Sequence, residues 1–489
     1  MKLFPVRGGI HPEYRKERTS ECAIVPLPMP ATLYLPLQQH IGAPADPVVK
    51  EGDQVKKGQT LARHTGVVSA PTHAPTSGTV TAITQVTAPH PSGLPQTTIV
   101  LEPDGLDEWA ADLPEGFADP FATPPQAIRD RVAWAGIVGM GGAAFPSAVK
   151  LNLGTQTKIE ILLINGAECE PYLTCDDRVM REYSAEVIDG ARIMAHALGA
   201  PRVVVGIEEN KPAAIAAMTE AAKAAPNVEV VAVPVQYPMG SERHLTQAII
   251  GRETPAKKLT ADLGVVVHNV GTARAVHHAV RNGRPLLSRV VTVSGGAVKE
   301  PKNILAPLGT LVSELVAFCG GMTVPPKRIV NGGPMMGQPL PSLDVPVVKG
   351  TCGILALTQD ETNEQPTGPC IRCGTCVTIC PCGLVPVEMA SFIRHEKLDV
   401  ATKLGVMDCV SCGSCSYVCP SHIPLVHYFN YAKGKINAGE REKRKMASVA
   451  AFAEAKGARA EKAAQAKREA AARKAAERAA EQQNNGASA

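Results

Sequence analysis

Cys370-Ile-Arg-Cys-Gly-Thr-Cys-Val-Thr-Ile-Cys-Pro381 recurs, with the same spacing, as Cys409-Val-Ser-Cys-Gly-Ser-Cys-Ser-Tyr-Val-Cys-Pro420. Zinc sites usually group their thiolates two and two, because a tetrahedral ion is clasped by two knuckles. Three cysteines spaced two residues apart instead wrap one loop around a cubane, and the fourth ligand comes from elsewhere. Two such runs, each closed by Cys-Pro, exchange their fourth cysteines. The spacing predicts two [4Fe–4S] clusters, one held by Cys370, Cys373, Cys376 and Cys419 and the other by Cys409, Cys412, Cys415 and Cys380. The exchange makes the clusters close neighbours, and neighbouring clusters form an electron wire.

This two-cluster ferredoxin pattern occupies residues 366–430, with a helical pattern at 387–404 between the runs. Cys382 is a surplus thiol and reads as a packed bystander. Cys22, Cys319 and Cys352 read as ordinary buried cysteines. Nine of the fourteen cysteines fall between 370 and 419, and the N-terminus has no signal-peptide core. Clustering of that kind reads as metal ligation, not as a disulfide framework. The expectation is a chain made and kept in the cytoplasm, able to dock on a membrane partner, since no apolar run reaches the roughly 18 residues of a span.

At 489 residues the chain is too long for one core, so several domains are expected. Aromatic residues make up 4%, too few for a nucleic-acid stacking platform. The net charge of +4 conceals a basic tail: residues 432–481 carry +7, leaving about −3 for the rest. Residues 1–120, rich in Pro, Gly, Val and Thr, read as an all-β barrel of the biotinyl/lipoyl kind. The lysine that such carriers modify has no counterpart at 62–73, so the barrel reads as a structural module. Residues 125–286 alternate helices (184–198, 212–224) with short apolar strands (159–164, 202–206, 228–233, 264–267), the pattern of a Rossmann-like α/β domain with a largely parallel sheet. A β-grasp (soluble-ligand-binding) unit fits 287–345, with a strand at 289–294 and a helix at 311–318. Residues 431–489 form an Ala/Lys-rich tail with high helix propensity and almost no apolar stripe.

Clusters pass single electrons, whereas most soluble reductants deliver two, and a flavin is the usual converter. The stretch Gly136-Ile-Val-Gly-Met-Gly-Gly-Ala-Ala-Phe-Pro-Ser-Ala-Val-Lys150 is the candidate cradle for its phosphate, with glycines at 139, 141 and 142 baring N–H groups before a helix that starts near Pro146. It is no P-loop, since no Gly-Lys-Ser/Thr follows. It formally satisfies G-x-G-x-x-A, yet residues 127–136 before it look helical, where the dinucleotide fingerprint requires a strand. Further polar loops follow the expected strands: Asn165-Gly-Ala-Glu-Cys-Glu-Pro-Tyr-Leu-Thr-Cys-Asp-Asp-Arg178, Tyr237-Pro-Met-Gly-Ser-Glu242 and His268-Asn-Val-Gly-Thr272.

Together with GGIHPEYRKE at 8–17, GGPMMG at 332–337 and the cysteine runs, these stretches resemble the C subunit of the Rnf/Rsx ion-translocating electron transport complex over residues 1–430. The α/β, β-grasp and cluster parts are also similar to the NADH-binding flavoprotein subunit of respiratory complex I. The resemblance implies non-covalent FMN with NADH binding over its ring. By the same carry-over, Gly139, Gly141, Gly142 and Lys150 would meet the FMN phosphate and ribityl, and Asn165, Glu168, His268, Asn269 and Thr272 would line the remainder. Phe145 would lie near the adenine, Glu170 near the nicotinamide and Glu242 on the adenosine ribose. Met140, Ala167 and Ser241 depart from the complex I pattern, which has arginine, aspartate and glutamate there.

The implied role is a peripheral electron-input subunit on the cytoplasmic face of the inner membrane. An iron–sulfur subunit and integral membrane subunits would be its partners, ferredoxin the other redox partner, and Na⁺ or H⁺ movement the coupled process. Nucleic acid is not expected as a partner. Two alternatives are a soluble flavin/iron–sulfur reductase of the cobalamin-reductase type and a cluster-bearing docking subunit without an active flavin.

Overall fold

A computed structural model describes residues 3–155, 157–362 and 364–486. The chain divides into two compact units, one of residues 1–388 with 407–426, the other of 389–406 with 427–489.

At the centre of the first unit is a four-stranded parallel sheet. Its order is Val228–Val233, Arg202–Glu208, Ile161–Gly166 and Val265–Asn269. Runs such as Val-Val-Val-His-Asn are buried along their whole length, as expected of strands covered by helices on both faces. The first of these strands in sequence lies inside the sheet, so the strand order reverses beside it. Asn165 and Asn269 are register partners at the C-terminal edges of the two strands flanking that reversal. In open α/β sheets the ligand crevice lies at such a point.

The helices Ser184–Leu198 and Val270–Asn282 pack at backbone distance across one face. A side chain built on Gly190 would begin 1.8 Å from the carbonyl oxygen of Ala273, so only glycine fits. Gly190→Val should therefore destabilise this domain by about 3 kcal/mol, at the upper end for overpacking because backbone cannot yield as a side chain does. The measurement is the denaturant midpoint of the domain. An unchanged midpoint would mean that the two helices separate easily.

The barrel consists of a four-stranded sheet (Leu33–Pro36, Pro95–Pro103, Gly78–Thr87, Gln54–Val55) and a three-stranded one (Asp46–Pro47, Thr60–Arg63, Thr72–His73). Leu33, Leu35, Val55, Leu61, Val80, Ile99 and Leu101 fill its core. The residues before it behave differently from the all-β expectation for 1–120. Strand Ile24–Pro26 pairs in parallel with Lys302–Pro307, at the edge of a six-stranded sheet outside the barrel. The N-terminal strap is tied to that sheet and to the α/β domain by its cations. Lys16 Nζ donates to the carbonyls of Glu168, Glu170 and Leu173, and Arg18 donates to those of Gly295 and Val298.

The six-stranded sheet also exceeds the expected 287–345. Its centre pairs Ser288–Ser294 with Gly353–Leu357, a fully buried run whose partner lies some sixty positions earlier. Fully buried Lys349 joins this unit to its neighbours, donating to the carbonyls of Pro71 in the barrel (2.6 Å) and Gly136 in the α/β domain (2.7 Å).

In the second unit, helix Leu398–Lys403 and the helix Leu425–Gly486, most of which belongs here, accompany the end of Pro386–Arg394. Glu396 accepts from Tyr431 Oη at 2.7 Å and pairs with Lys435 at 3.1 Å. The long helix buries Phe429 and Ala432 near its start and is exposed throughout residues 440–480, as its Ala-rich, stripe-free sequence requires. No helix among the described residues is long and apolar enough to cross a membrane.

Candidate functional site

The glycine loop follows helix Pro125–Trp134, not a strand, and is closed at its base like a small hairpin. Val138 bridges to Pro146, Gly139 N donates to Phe145 O at 2.7 Å, and Ser147 N donates to Ile137 O at 3.0 Å. Thr272, on the helix across the crevice, pins the base from the other side. Its Oγ1 accepts from Met140 N at 3.0 Å and donates to Val138 O at 3.3 Å. The tip is left open. Among the described residues, the N–H groups of Gly141, Gly142 and Ala143 donate to no protein acceptor. Gly142 has φ +103°, and no atom of the described residues lies within 4 Å of where its side chain would begin. Three adjacent N–H groups without acceptors are a cradle for an anion.

The crevice beside this loop is built from the ends of the two strands that carry Asn165 and Asn269. Asn269 caps the Val270–Asn282 helix by accepting from Gly271 N at 2.8 Å, and donates to Asp176 Oδ2 at 2.6 Å. Asn165 donates to Gly240 O at 2.8 Å and accepts from Ala167 N at 3.1 Å. The next loop turns at Glu168, in the left-handed region at φ +48°, and the Glu168 carboxylate accepts from the N–H groups of Asp176 and Asp177 at 2.6 and 3.2 Å. Carboxylates are crowded here. Burial, reinforced by the Glu168 charge, pushes Asp176 up to about 7 and Asp177 to about 6.

Lys150, Glu242 and His268 come together nearby. Lys150 Nζ donates to Glu242 Oε2 at 2.8 Å and to Val267 O at 3.0 Å, and Glu242 also accepts from Thr260 Oγ1 at 2.5 Å. His268 is held neutral, far below the usual histidine range, by burial and then by the Lys150 charge. Its Nε2 is buried without a partner among the described residues, an orphan that a bound ligand could satisfy. Phe145 is half-buried at the closing end of the glycine loop.

Glu170 is engaged within the protein. Its carboxylate accepts from Met335 N (3.0 Å) and Met336 N (2.9 Å) of the Gly-Gly-Pro-Met-Met-Gly loop, which needs Gly333 because a side chain there would begin 2.1 Å from the carboxylate. Burial raises Glu170 to about 7. Tyr237, fully buried beside it, donates from Oη to the carbonyl of Cys412 at 2.6 Å. Met335 O lies 2.9 Å from where a side chain on Gly413 would begin, so the second cysteine run rests on both loops.

The two cysteine runs fold alike. Arg372 and Ser411 are left-handed (φ +54° and +57°), as are Gly374 and Gly413 (φ +78° and +79°), and each run ends in a single helical turn, Thr375–Thr378 or Ser414–Tyr417. This geometry turns backbone N–H groups onto sulfur. Arg372 N donates to Cys370 Sγ (3.4 Å), Ser411 N to Cys409 Sγ (3.3 Å) and Ile423 N to Cys419 Sγ (3.4 Å).

The thiols fall into two groups. Burial raises Cys376, whose neighbouring thiols are Cys373, Cys419 and Cys370. Burial likewise raises Cys415, whose neighbours are Cys412, Cys409, Cys380 and, last, Cys376. Four sulfurs that repel one another in each group suit a cationic iron core. Cys370 and Cys373 are exposed, whereas Cys380, Cys412 and Cys415 are buried. Cys382 lies beside the second group, and burial pushes it up to about 12, so it stays a thiol.

Several site residues carried no signal in the sequence. Tyr237 and Asp176 stand in quoted loops, yet their partners are distant in the chain. Arg289, inside an apolar strand, reads as nothing more than a strand residue.

Comparison with known families matches four segments. Residues 4–106 match the RnfC barrel sandwich hybrid domain, 132–278 the Nuo51 FMN-binding domain, 290–339 the SLBB domain and 369–423 the 4Fe-4S dicluster domain. Over 446 residues the chain is 57% identical to the C subunit of the ion-translocating oxidoreductase complex of Rhodobacter capsulatus, covering 91% of this chain and 85% of that one. It is 45% identical to the C subunit of the proton-translocating ferredoxin:NAD(+) oxidoreductase complex of Clostridium ljungdahlii, covering 91% and 96%. With the corresponding subunit of Klebsiella pneumoniae the identity is 43%, covering 96% and 62%.

Proposed function

This chain belongs to the RnfC family, the C subunits of ion-translocating oxidoreductase complexes, and on that premise we propose that it is the NADH-oxidising electron-input subunit of such a complex. FMN, when bound, would supply the conversion of a hydride's two electrons into single ones, and the two cysteine groups would hold the [4Fe–4S] clusters that carry single electrons. The open N–H groups of Gly141 and Gly142 and the orphan Nε2 of His268 suit a phosphorylated ligand rich in hydrogen-bonding groups. Gly139 and Thr272 set the shape of the loop, Asn165 and Asn269 fix the crevice walls, and Glu168 orders the acidic loop. Lys150 and Glu242 form a cation–carboxylate pair at the open end, where Glu242 would turn to ribose hydroxyls and Phe145 would cover the adenine.

The observation that carries this reading is the Tyr237 hydrogen bond to the Cys412 carbonyl, because it joins a loop of the nucleotide crevice directly to a cysteine run. The group of Cys409, Cys412, Cys415 and Cys380 is then the inner one. The group of Cys370, Cys373, Cys376 and Cys419 faces outward, where exposed Cys370 and Cys373 present it to a partner.

Glu170 holds the Met335–Met336 loop between these parts and approaches the nicotinamide only by exchanging those N–H groups. Other subunits of the complex accept the electrons, with ferredoxin as the second redox partner of the whole and ion movement coupled in its membrane subunits. The chain sits peripherally, on the cytoplasmic face of the inner membrane. The test is NADH-dependent reduction of an artificial one-electron acceptor by the chain loaded with FMN, iron and sulfide. Activity with iron and sulfide alone, and none gained from FMN, would sink the proposal.

A further inference from the structure

We infer that Arg289, a residue of the six-stranded sheet outside the α/β domain, is the cation that receives the flavin's phosphate. The inference rests on the flavin reading above and adds a residue to it. Arg289 is only 5% exposed. Its Nε donates to Thr351 O at 3.1 Å and its Nη2 to Met140 O at 3.2 Å, inside the glycine loop. Nη1 lies 3.4 Å from where a side chain on Gly271 would begin, at the start of the thirteen-residue Val270–Asn282 helix. Its guanidinium therefore stands where the loop's open N–H groups and the positive end of that helix converge.

Among the described residues, no carboxylate pairs with Arg289 at ion-pair distance. Arg289 is near enough to Asp176 to oppose the rise of that carboxyl, which Asn269 Nδ2 already holds. A buried guanidinium bonded only to neutral carbonyls is costly, and an anion beside it relieves the cost. The side chain of Met140 is 3% exposed, with its sulfur 3.6 Å from where a side chain on Gly271 would begin, and it brings no charge there. Lys150, by contrast, already has a carboxylate partner in Glu242.

The test compares FMN with riboflavin, which lacks the phosphate, by quenching of flavin fluorescence on the full-length wild-type, Arg289→Gln and Arg289→Lys chains. Wild type should prefer FMN. Arg289→Gln should lose about 10- to 100-fold in FMN affinity, the range of a charge-assisted bond, with riboflavin binding nearly unchanged. Arg289→Lys, which keeps the charge, should recover part of the preference. If Arg289→Gln weakens both flavins equally, or if Arg289→Lys behaves like Arg289→Gln, the residue merely supports the loop and the inference fails. If wild type prefers FMN and both variants keep that preference, the phosphate is held elsewhere. A wild-type chain that binds neither flavin would instead sink the flavin reading, and this inference with it.

Discussion

Replacing Cys380 and Cys409 together with serine should leave about half of the wild-type iron, whereas replacing Cys380 and Cys370 together should leave almost none. The difference follows from the exchange of fourth ligands. Cys380 belongs by sequence to the first run, yet its thiol is grouped with Cys409, Cys412 and Cys415. Cys376 has Cys419 among its neighbours in the reverse exchange. If ligation follows these groups, Cys380 and Cys409 serve one cluster, and losing both costs only that cluster. Cys380 and Cys370 serve different clusters, so losing both strips each of a ligand. Iron analysis and the number of distinct EPR signals after reduction read the outcome. If instead each run bound its own cluster, the Cys380–Cys370 pair would be the one to retain half the iron.

The second large effect is expected from Gly142→Asp. A side chain there would begin with no atom of the described residues within 4 Å, so the fold loses no contact among them. At φ +103° aspartate is strained, at a backbone cost of about 1–3 kcal/mol. It would, however, place a carboxylate among the N–H groups offered by Gly141, Gly142 and Ala143. Like charges close together in a partly buried site disfavour binding by several kcal/mol. FMN affinity should fall by more than about 100-fold, with iron content unchanged and the unfolding midpoint lowered only by the backbone cost. Undiminished FMN binding would move the phosphate away from this loop.

The parts read most readily from the sequence are those whose determinants are local. Cysteine spacing is chemistry on one loop, and it identifies metal ligation without knowledge of the fold. Valine-rich runs such as Val228–Val233 and the helix Ser184–Leu198 have the bounds their patterns predict. The expected strand at 159–164 is shifted to Ile161–Gly166, because strand ends are set by pairing with Arg202–Glu208 and Val265–Asn269.

What the sequence concealed depends on contacts between distant segments. Strand Ile24–Pro26 finds its partner at Lys302–Pro307, and composition alone assigned it to the barrel. Glu170 and the Met335–Met336 loop are separated by some 165 positions, so nothing local reveals that this carboxylate is already hydrogen-bonded. Arg289 occupies a strand position where a buried charge is unexpected, and its contacts with Thr351 O and Met140 O come from segments distant in the chain. The substitution at Met140, puzzling as an isolated departure, becomes intelligible as a core side chain with a guanidinium on its carbonyl.

Electron input from NADH is the central claim, and anaerobic titration of the reconstituted full-length chain with NADH, followed by optical and EPR spectra, tests it most directly. The prediction is that NADH bleaches the flavin and then develops two distinguishable cluster signals, saturating near two NADH per chain, about four electrons for one flavin and two clusters. Clusters that dithionite reduces but NADH does not, in a chain whose flavin is bound and stays oxidised, would contradict it.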